Sequence, residues 1–237
     1  CGTGCTWTFN HNNKDLTITG TGNDAVISDV STGEAPWYAK RNEIDLISIS
    51  GIKRIGNYAF EGCSNITTIT IPGSVKTIGT SSFEGCTKLN KITSWGGVDT
   101  IETKAFKSTG FTTIEIPSDI KSIGSQAFIG CSKLTEVIYK GTSNPTCSTD
   151  AFETSITYVE VLINYASTKF CGKTPRTIDS CGTTKEKCEY KYIHDTYELT
   201  ITGNGEMNPY LIKGAPWYSQ YDKIKTISIT GITSIGS

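Results

Sequence analysis

The sequence predicts a solenoid that is mostly β, with a parallel concave sheet, short helical turns on the opposite side and β-hairpin caps. Three columns of apolar residues carry that prediction. Phe60, Phe83, Phe106, Phe128 and Phe152 recur at spacings of 23, 23, 22 and 24 residues. Ile69, Ile92, Ile114, Val137 and Val159 follow at 23, 22, 23 and 22. Ile55, Ile78, Ile101 and Ile123 form a third column. A fixed period of this size means one supersecondary unit per repeat, stacked so that neighbours bury each other's apolar edges.

In chain order, residues 5–22 alternate Trp7 and Phe9 on one run with Leu16 and Ile18 on the next. A polar turn lies between the runs, so the stretch predicts a β-hairpin that closes the open end of the stack. The aromatic pair in Ala35 to Tyr38, APWY, returns to that cap. Strands of the form L-x-x-I-x-I then recur at 44–49, 66–71, 89–94, 111–116, 134–139 and 156–161. Side chains alternate along a strand, so positions one, four and six point inward and positions three and five outward. A second short strand of the kind Val75 to Gly79 and a short helical turn carrying Ala-Phe complete each repeat. The opening is then repeated: LTITGNG at Leu199 matches LTITGTG at Leu16, and APWY at Ala215 matches Ala35. The expected organisation is a cap and first strand over 1–50, repeats over 51–167, an end segment or linker over 168–180, and over 181–237 the cap and first strand of a second, truncated module. Its free apolar edge, Ile224, Ile227, Ile229, Ile232 and Ile235, predicts continuation into further repeats, with the second cap docked on the first module through its hairpin.

The lattice I-G-x-x-A-F-x-G-C-S-x-L-T-x-I-x-I-P, with its flanking LTITGTG and APWY elements, resembles the leucine-rich repeat of the BspA-like type. That resemblance implies a leucine-rich repeat solenoid from surface proteins of bacteria or parasitic protists. It also implies a role in attachment to host matrix or other cells. A repeat of this sort is a scaffold and specifies fold far more closely than function.

Charge is nearly balanced, 22 basic against 23 acidic residues, which argues against a nucleic-acid footprint. No apolar run is long enough to span a bilayer, and a signal peptide is expected to have been removed or to lie outside this sequence. Nine cysteines point to an oxidising compartment. Cys63, Cys86 and Cys131 share one column, three residues after the Phe, and are expected to be buried thiols; a disulfide between adjacent rungs is the alternative. The other six are disulfide candidates and allow 15 pairings. The expected set is Cys1 with Cys5, Cys181 with Cys188, and Cys147 with Cys171. Asn65-Ile-Thr67 is a sequon, so Asn65 is expected to carry a glycan in eukaryotic material.

Catalytic, cofactor and metal residues are not expected. His11 and His194 occupy equivalent hairpin turns, and no Cys-x-x-Cys pair exists. The Gly pairs of TGTG and TGNG follow hairpins and lack the Lys-Ser of a phosphate loop. Recognition remains. The outward columns are Leu46, Thr68, Lys91, Thr113, Glu136, Tyr158 and Ser48, Thr70, Thr93, Glu115, Ile138, Glu160. Repeat two breaks consensus at Ser94-Trp95 and repeat four at Tyr139-Lys140. Aromatic residues dominate many binding surfaces, so Trp95, with Tyr139 and Tyr158, is a candidate contact; equally, Trp95 packs over a rung edge in place of proline. The expected partner is an extracellular protein or glycan, with self-assembly into a surface rod, filament or wall as the alternative.

Overall fold

The computed structural model describes residues 1–161, 165, 167–180, 188–193, 197–203 and 223–230. The cap contains β1 (Cys5–Asn10), β2 (Asp15–Gly20) and β3 (Leu46–Ser50). Two-residue and longer strands then alternate: β4 (Arg54–Ile55), β5 (Thr68–Thr70), β6 (Thr77–Ile78), β7 (Lys91–Ser94), β8 (Thr100–Ile101), β9 (Thr113–Ile116), β10 (Ser122–Ile123), β11 (Glu136–Tyr139), β12 (Thr146–Cys147) and β13 (Tyr158–Val161). The chain closes with β14 (Thr174–Ser180), β15 (Cys188–Ile193), β16 (Glu198–Gly203) and β17 (Thr226–Thr230).

The alternation is the solenoid. The short strands stack into an unbroken sheet, β4-β6-β8-β10-β12, with parallel partners one repeat apart. The longer strands line the other side in three segments: β1-β2-β3, β5-β7 and the run β9-β11-β13-β14-β15-β16-β17. Between the two sheets lies the apolar column. The rings of Phe60, Phe83, Phe106, Phe128 and Phe152 stack with centroids 5.2, 5.3, 5.4 and 5.0 Å apart. Trp37 of the first APWY heads the stack, 5.6 Å from Phe60, and its indole N–H donates to the Ala59 carbonyl at 2.6 Å. This is how the cap is joined to the repeats: a buried aromatic needs both ring contacts and a hydrogen-bond partner for its polar handle.

The expected short helical turns are corrected. Among the described residues the one helix is the 3-10 turn Tyr38–Lys40. The Ala-Phe segments are turns entered through a left-handed residue, Tyr58, Ser81, Lys104 and Gln126, at φ 55, 52, 57 and 57. Such a conformation costs a non-glycine residue about 1–2 kcal/mol. It is offset here by hydrogen bonds between rungs. The N–H groups of Tyr58, Phe60 and Gly62 donate to the carbonyls of Thr80, Ser82 and Glu84 at 2.9, 2.7 and 2.8 Å, and the next rung repeats the pattern onto Thr103, Ala105 and Lys107. A helix would use those donors within one rung. Here they couple each rung to the next.

The cysteine column forms part of the same core. Cys63, Cys86 and Cys131 are free and buried. The thiols of Cys86 and Cys131 donate to the carbonyls of Phe60 and Phe106 at 3.2 and 3.3 Å. Repeat three has Thr109 at this place, and its hydroxyl donates to Phe106 at 2.9 Å.

Residues 168–180, expected to be an end segment or linker, contain β14. It lies parallel to β13 in the register Tyr158↔Thr174 to Val161↔Thr177, and antiparallel to β15. The second cap therefore continues the concave sheet of the first module. Ile227 and Ile229 on β17 are 58% and 43% exposed. Ile232, Ile235, His194 and the second APWY lie outside the described residues.

Candidate functional site

Along the concave strands, positions one, four and six are buried in almost every rung. Rung two departs from this: Ile92 is half-buried and Ser94 exposed, where the neighbouring rungs bury Ile71 and Ile116. Serine at an inward position leaves the core short of an apolar side chain. The strand answers with a bulge. β5 and β7 pair Thr68↔Lys91 and Ile69↔Ile92, then shift to Thr70↔Ser94. The Ile71 N–H donates to the Ser94 carbonyl at 2.9 Å. One extra residue on β7 carries Trp95 into the column that Ile71 holds in rung one, and a bulge commonly re-aims a side chain in this way. Trp95 packs edge-on to Phe106, centroids 5.8 Å apart and planes at 76°. Gly96, at φ 58, allows the tight return, since a Cβ there would collide with the Pro72 carbonyl.

As between β3 and β5, the sheet is broken between β7 and β9. They stay joined at their start, where the Gly110 N–H donates to the Leu89 carbonyl at 2.9 Å, and part toward Trp95. The opening is a cleft of about 590 Å³, lined by Asn90 to Gly96 on one wall and by Thr113 to Glu115 with Pro117 on the other.

Five predicted residues meet there: Lys91, Thr93, Trp95, Thr113 and Glu115. Thr70 adjoins them, its hydroxyl 2.6 Å from that of Thr93. The Thr113 hydroxyl donates to Glu136 at 3.1 Å, and Lys140 pairs with Glu115 at 3.7 Å. Thr68 and Ile138 lie half-buried on the flanking strands. Sequence reasoning passed over Asn90, Gly96 and Pro117 as lining residues; the signal for the place was the lost isoleucine at Ser94.

Other predicted contacts lie elsewhere. Tyr139 is corrected: it is 1% exposed, its ring lies 4.7 Å from Phe170, and its hydroxyl donates to the Ser143 carbonyl at 2.7 Å. As position six of its strand it points into the core. Glu160 is also corrected, at 8% exposure, because β13 is covered by β14 on its far side. The Tyr158 ring carries the Arg176 guanidinium 3.5 Å above it, which occupies one face of the aromatic. Asn65 is half-buried; its amide donates to the Asn42 carbonyl at 2.6 Å and accepts from Lys88 at 2.8 Å.

The structure joins Cys1 to Cys5 and Cys147 to Cys171, with Cα atoms 5.5 and 4.9 Å apart. Cys181 and the side chain of Cys188 lie outside the described residues. Among the described residues no cluster of three His, Cys, Asp or Glu side chains could hold a metal ion, and no helix is long and apolar enough to cross a membrane.

A family described as BspA type leucine rich repeat region matches residues 50–173 in six copies. A leucine-rich repeat protein from Eubacterium ventriosum ATCC 27560 is similar in structure, with a TM-score of 0.62 and 19% identity over 99% of this chain. This chain spans 60% of that protein's length, and the likeness shows the fold. The Treponema pallidum (T. pallidum) leucine rich repeat protein matches 68% of this chain and 70% of its own at 22% identity, with a TM-score of 0.41. A leucine rich cell surface protein from Faecalibacterium prausnitzii A2-165 matches all of this chain and 76% of its own at 16% identity, with a TM-score of 0.36. Comparison with curated proteins returns no match.

Proposed function

The chain belongs to the BspA-type leucine-rich repeat family, and from that premise we propose that it is a non-enzymatic, extracellular or cell-surface binding module. Its ligand is a protein or glycan held at the concave face. The observation that carries this reading is the cleft between β7 and β9. It is one of two breaks in the concave sheet, presents a half-buried indole, and lines it with Thr93, Ser94 and Thr113 hydroxyls between Lys91 and Glu115. A wall of that mixed character suits a ligand with both apolar and hydrogen-bonding surface. The two disulfides fit an oxidising environment.

The test is to restore the consensus of the neighbouring rungs with Ser94→Ile and Trp95→Pro together. That pair removes the need for the bulge and is expected to close the cleft while keeping the fold. Arrays of matrix proteins and glycans supply the probes. Binding by the parent chain that the consensus variant loses supports the proposal. Equal binding by both would move the site elsewhere.

The second reading, a structural rod of serial modules, has its own observation: the sheet runs unbroken from β9 through β14 into the second cap and β17.

A further inference from the structure

The chain carries its cap twice, with one difference. β1 and β2 pair from Cys5↔Gly20 to Asn10↔Asp15; β15 and β16 pair from Cys188↔Gly203 to Ile193↔Glu198, the same six pairs 183 residues later. β3 lies parallel on β2 as β17 lies parallel on β16. The far edge of β15, however, is taken. β14 pairs with it antiparallel, from Arg176↔Ile193 to Ser180↔Glu189. The far edge of β1 is the outer edge of its sheet among the described residues.

Natural edge strands are blunted by proline, by charges, by bulges or by brevity, because a row of free N–H and C=O groups is a template for another strand. β1 has none of these. Its six residues, CTWTFN, include no proline and no charge, and its pairing with β2 runs without a shift. Trp7 stands 36% exposed on it. By contrast β15, which is covered, carries Glu189 and Lys191.

We infer that the outer edge of β1 is a docking edge for a strand of the β14 kind, the closing strand of another module of this repeat type, delivered within the same polypeptide as β14 is delivered to β15. The shared register sets the pairing. Equivalents of 176–180 would lie antiparallel opposite Asn10, Phe9, Thr8, Trp7 and Thr6. The main-chain bonds give such an addition its affinity. This deepens the rod reading and rests on it; it is independent of the concave cleft, so the Ser94→Ile, Trp95→Pro variant is expected to retain it.

The experiment places a copy of Lys173–Ser180 in front of Cys1 of the full chain, through flexible linkers of about 4 and about 12 residues so that reach is not the limit. Amide hydrogen exchange is then read on Cys5–Asn10. Alternate amides of β1 are expected to exchange about tenfold or more slowly in the extended chain with at least one linker. The gain is expected to vanish when the added strand carries Thr177→Pro and Ile178→Pro, since two adjacent prolines remove whichever donor faces β1. Unchanged exchange with both linkers would overturn the proposal. So would concentration-dependent protection of β1 in the unextended chain accompanied by a dimer on sizing, which would make a second copy the occupant.

Discussion

Trp95 stands edge-on against Phe106, 5.8 Å between ring centroids, in the column that Ile71 fills one rung earlier. The contact joins the opened strand to the aromatic stack at its centre, so the indole holds up the core and lines the cleft at once. Trp95→Ala is therefore expected to lower unfolding free energy by about 1–3 kcal/mol, and Trp95→Phe by less than about 1. Urea titration followed by far-UV circular dichroism measures both. An alanine variant as stable as the parent would mean that the indole is not part of the core.

Thr109 takes the cysteine position in rung three and bonds the Phe106 carbonyl, with Cys131 Sγ 3.1 Å from its hydroxyl. Thr109→Val keeps the shape and removes that donor, at an expected cost of about 1 kcal/mol. Thr109→Cys restores the residue of the other rungs and should stay within about 0.5 kcal/mol of the parent. Thermal melts of the two variants side by side decide it; equal losses would show that the hydrogen bond is idle.

The buried thiols should be chemically silent in the native state. Burial pushes Cys63 up to about 12, with Arg41 pulling slightly the other way, and drives Cys86 well above the ordinary thiol range. Since the thiolate is the reactive form, alkylation at pH 8 is expected to leave Cys63, Cys86 and Cys131 unmodified until denaturant is added. Mass spectrometry after a timed iodoacetamide pulse reads this directly. Rapid native labelling of any of the three would show that the column opens.

Glu84 and Lys107 pair across adjacent rungs at 2.8 Å, both largely covered. Burial alone would raise the Glu84 carboxyl, but the Lys107 hydrogen bond and charge outweigh it and hold the group below its ordinary range. A depressed folded-state value means stability that is present above the unfolded carboxylate range and is lost as pH falls through the folded value. Glu84→Gln is expected to cost about 0.5–1 kcal/mol at pH 7 and nothing at pH 2. A pH-independent difference between parent and variant would assign the effect to packing.

Much of this architecture was legible in the residues. The phenylalanine and isoleucine columns, the hairpin caps and the second cap follow from spacing alone, because a stacked repeat must put the same side chain in the same environment each time. The thiol column was legible for the same reason. Identity at one position also concealed local backbone form: Ala-Phe segments carry ordinary helix formers, yet they turn through left-handed residues. Their partners are carbonyls on the next rung, and no single repeat contains that information.

The sequence by itself determined the lattice, the side of each strand that faces inward, and the place where the lattice fails, at Ser94-Trp95. Tertiary structure decided what the failure becomes. A serine at an inward position can leave a void, draw in water or shift the strand. Here the strand shifts, and the bulge brings Trp95 onto Phe106 beside the break between β7 and β9. The same division holds at the end of the repeats. Thr174–Ser180 lacks the repeat's pattern and reads in sequence only as an end segment or linker; β13 offers it a free parallel edge and β15 an antiparallel one. Strand formation there depends on neighbours supplied by residues far away in sequence, so only the assembled stack could specify it.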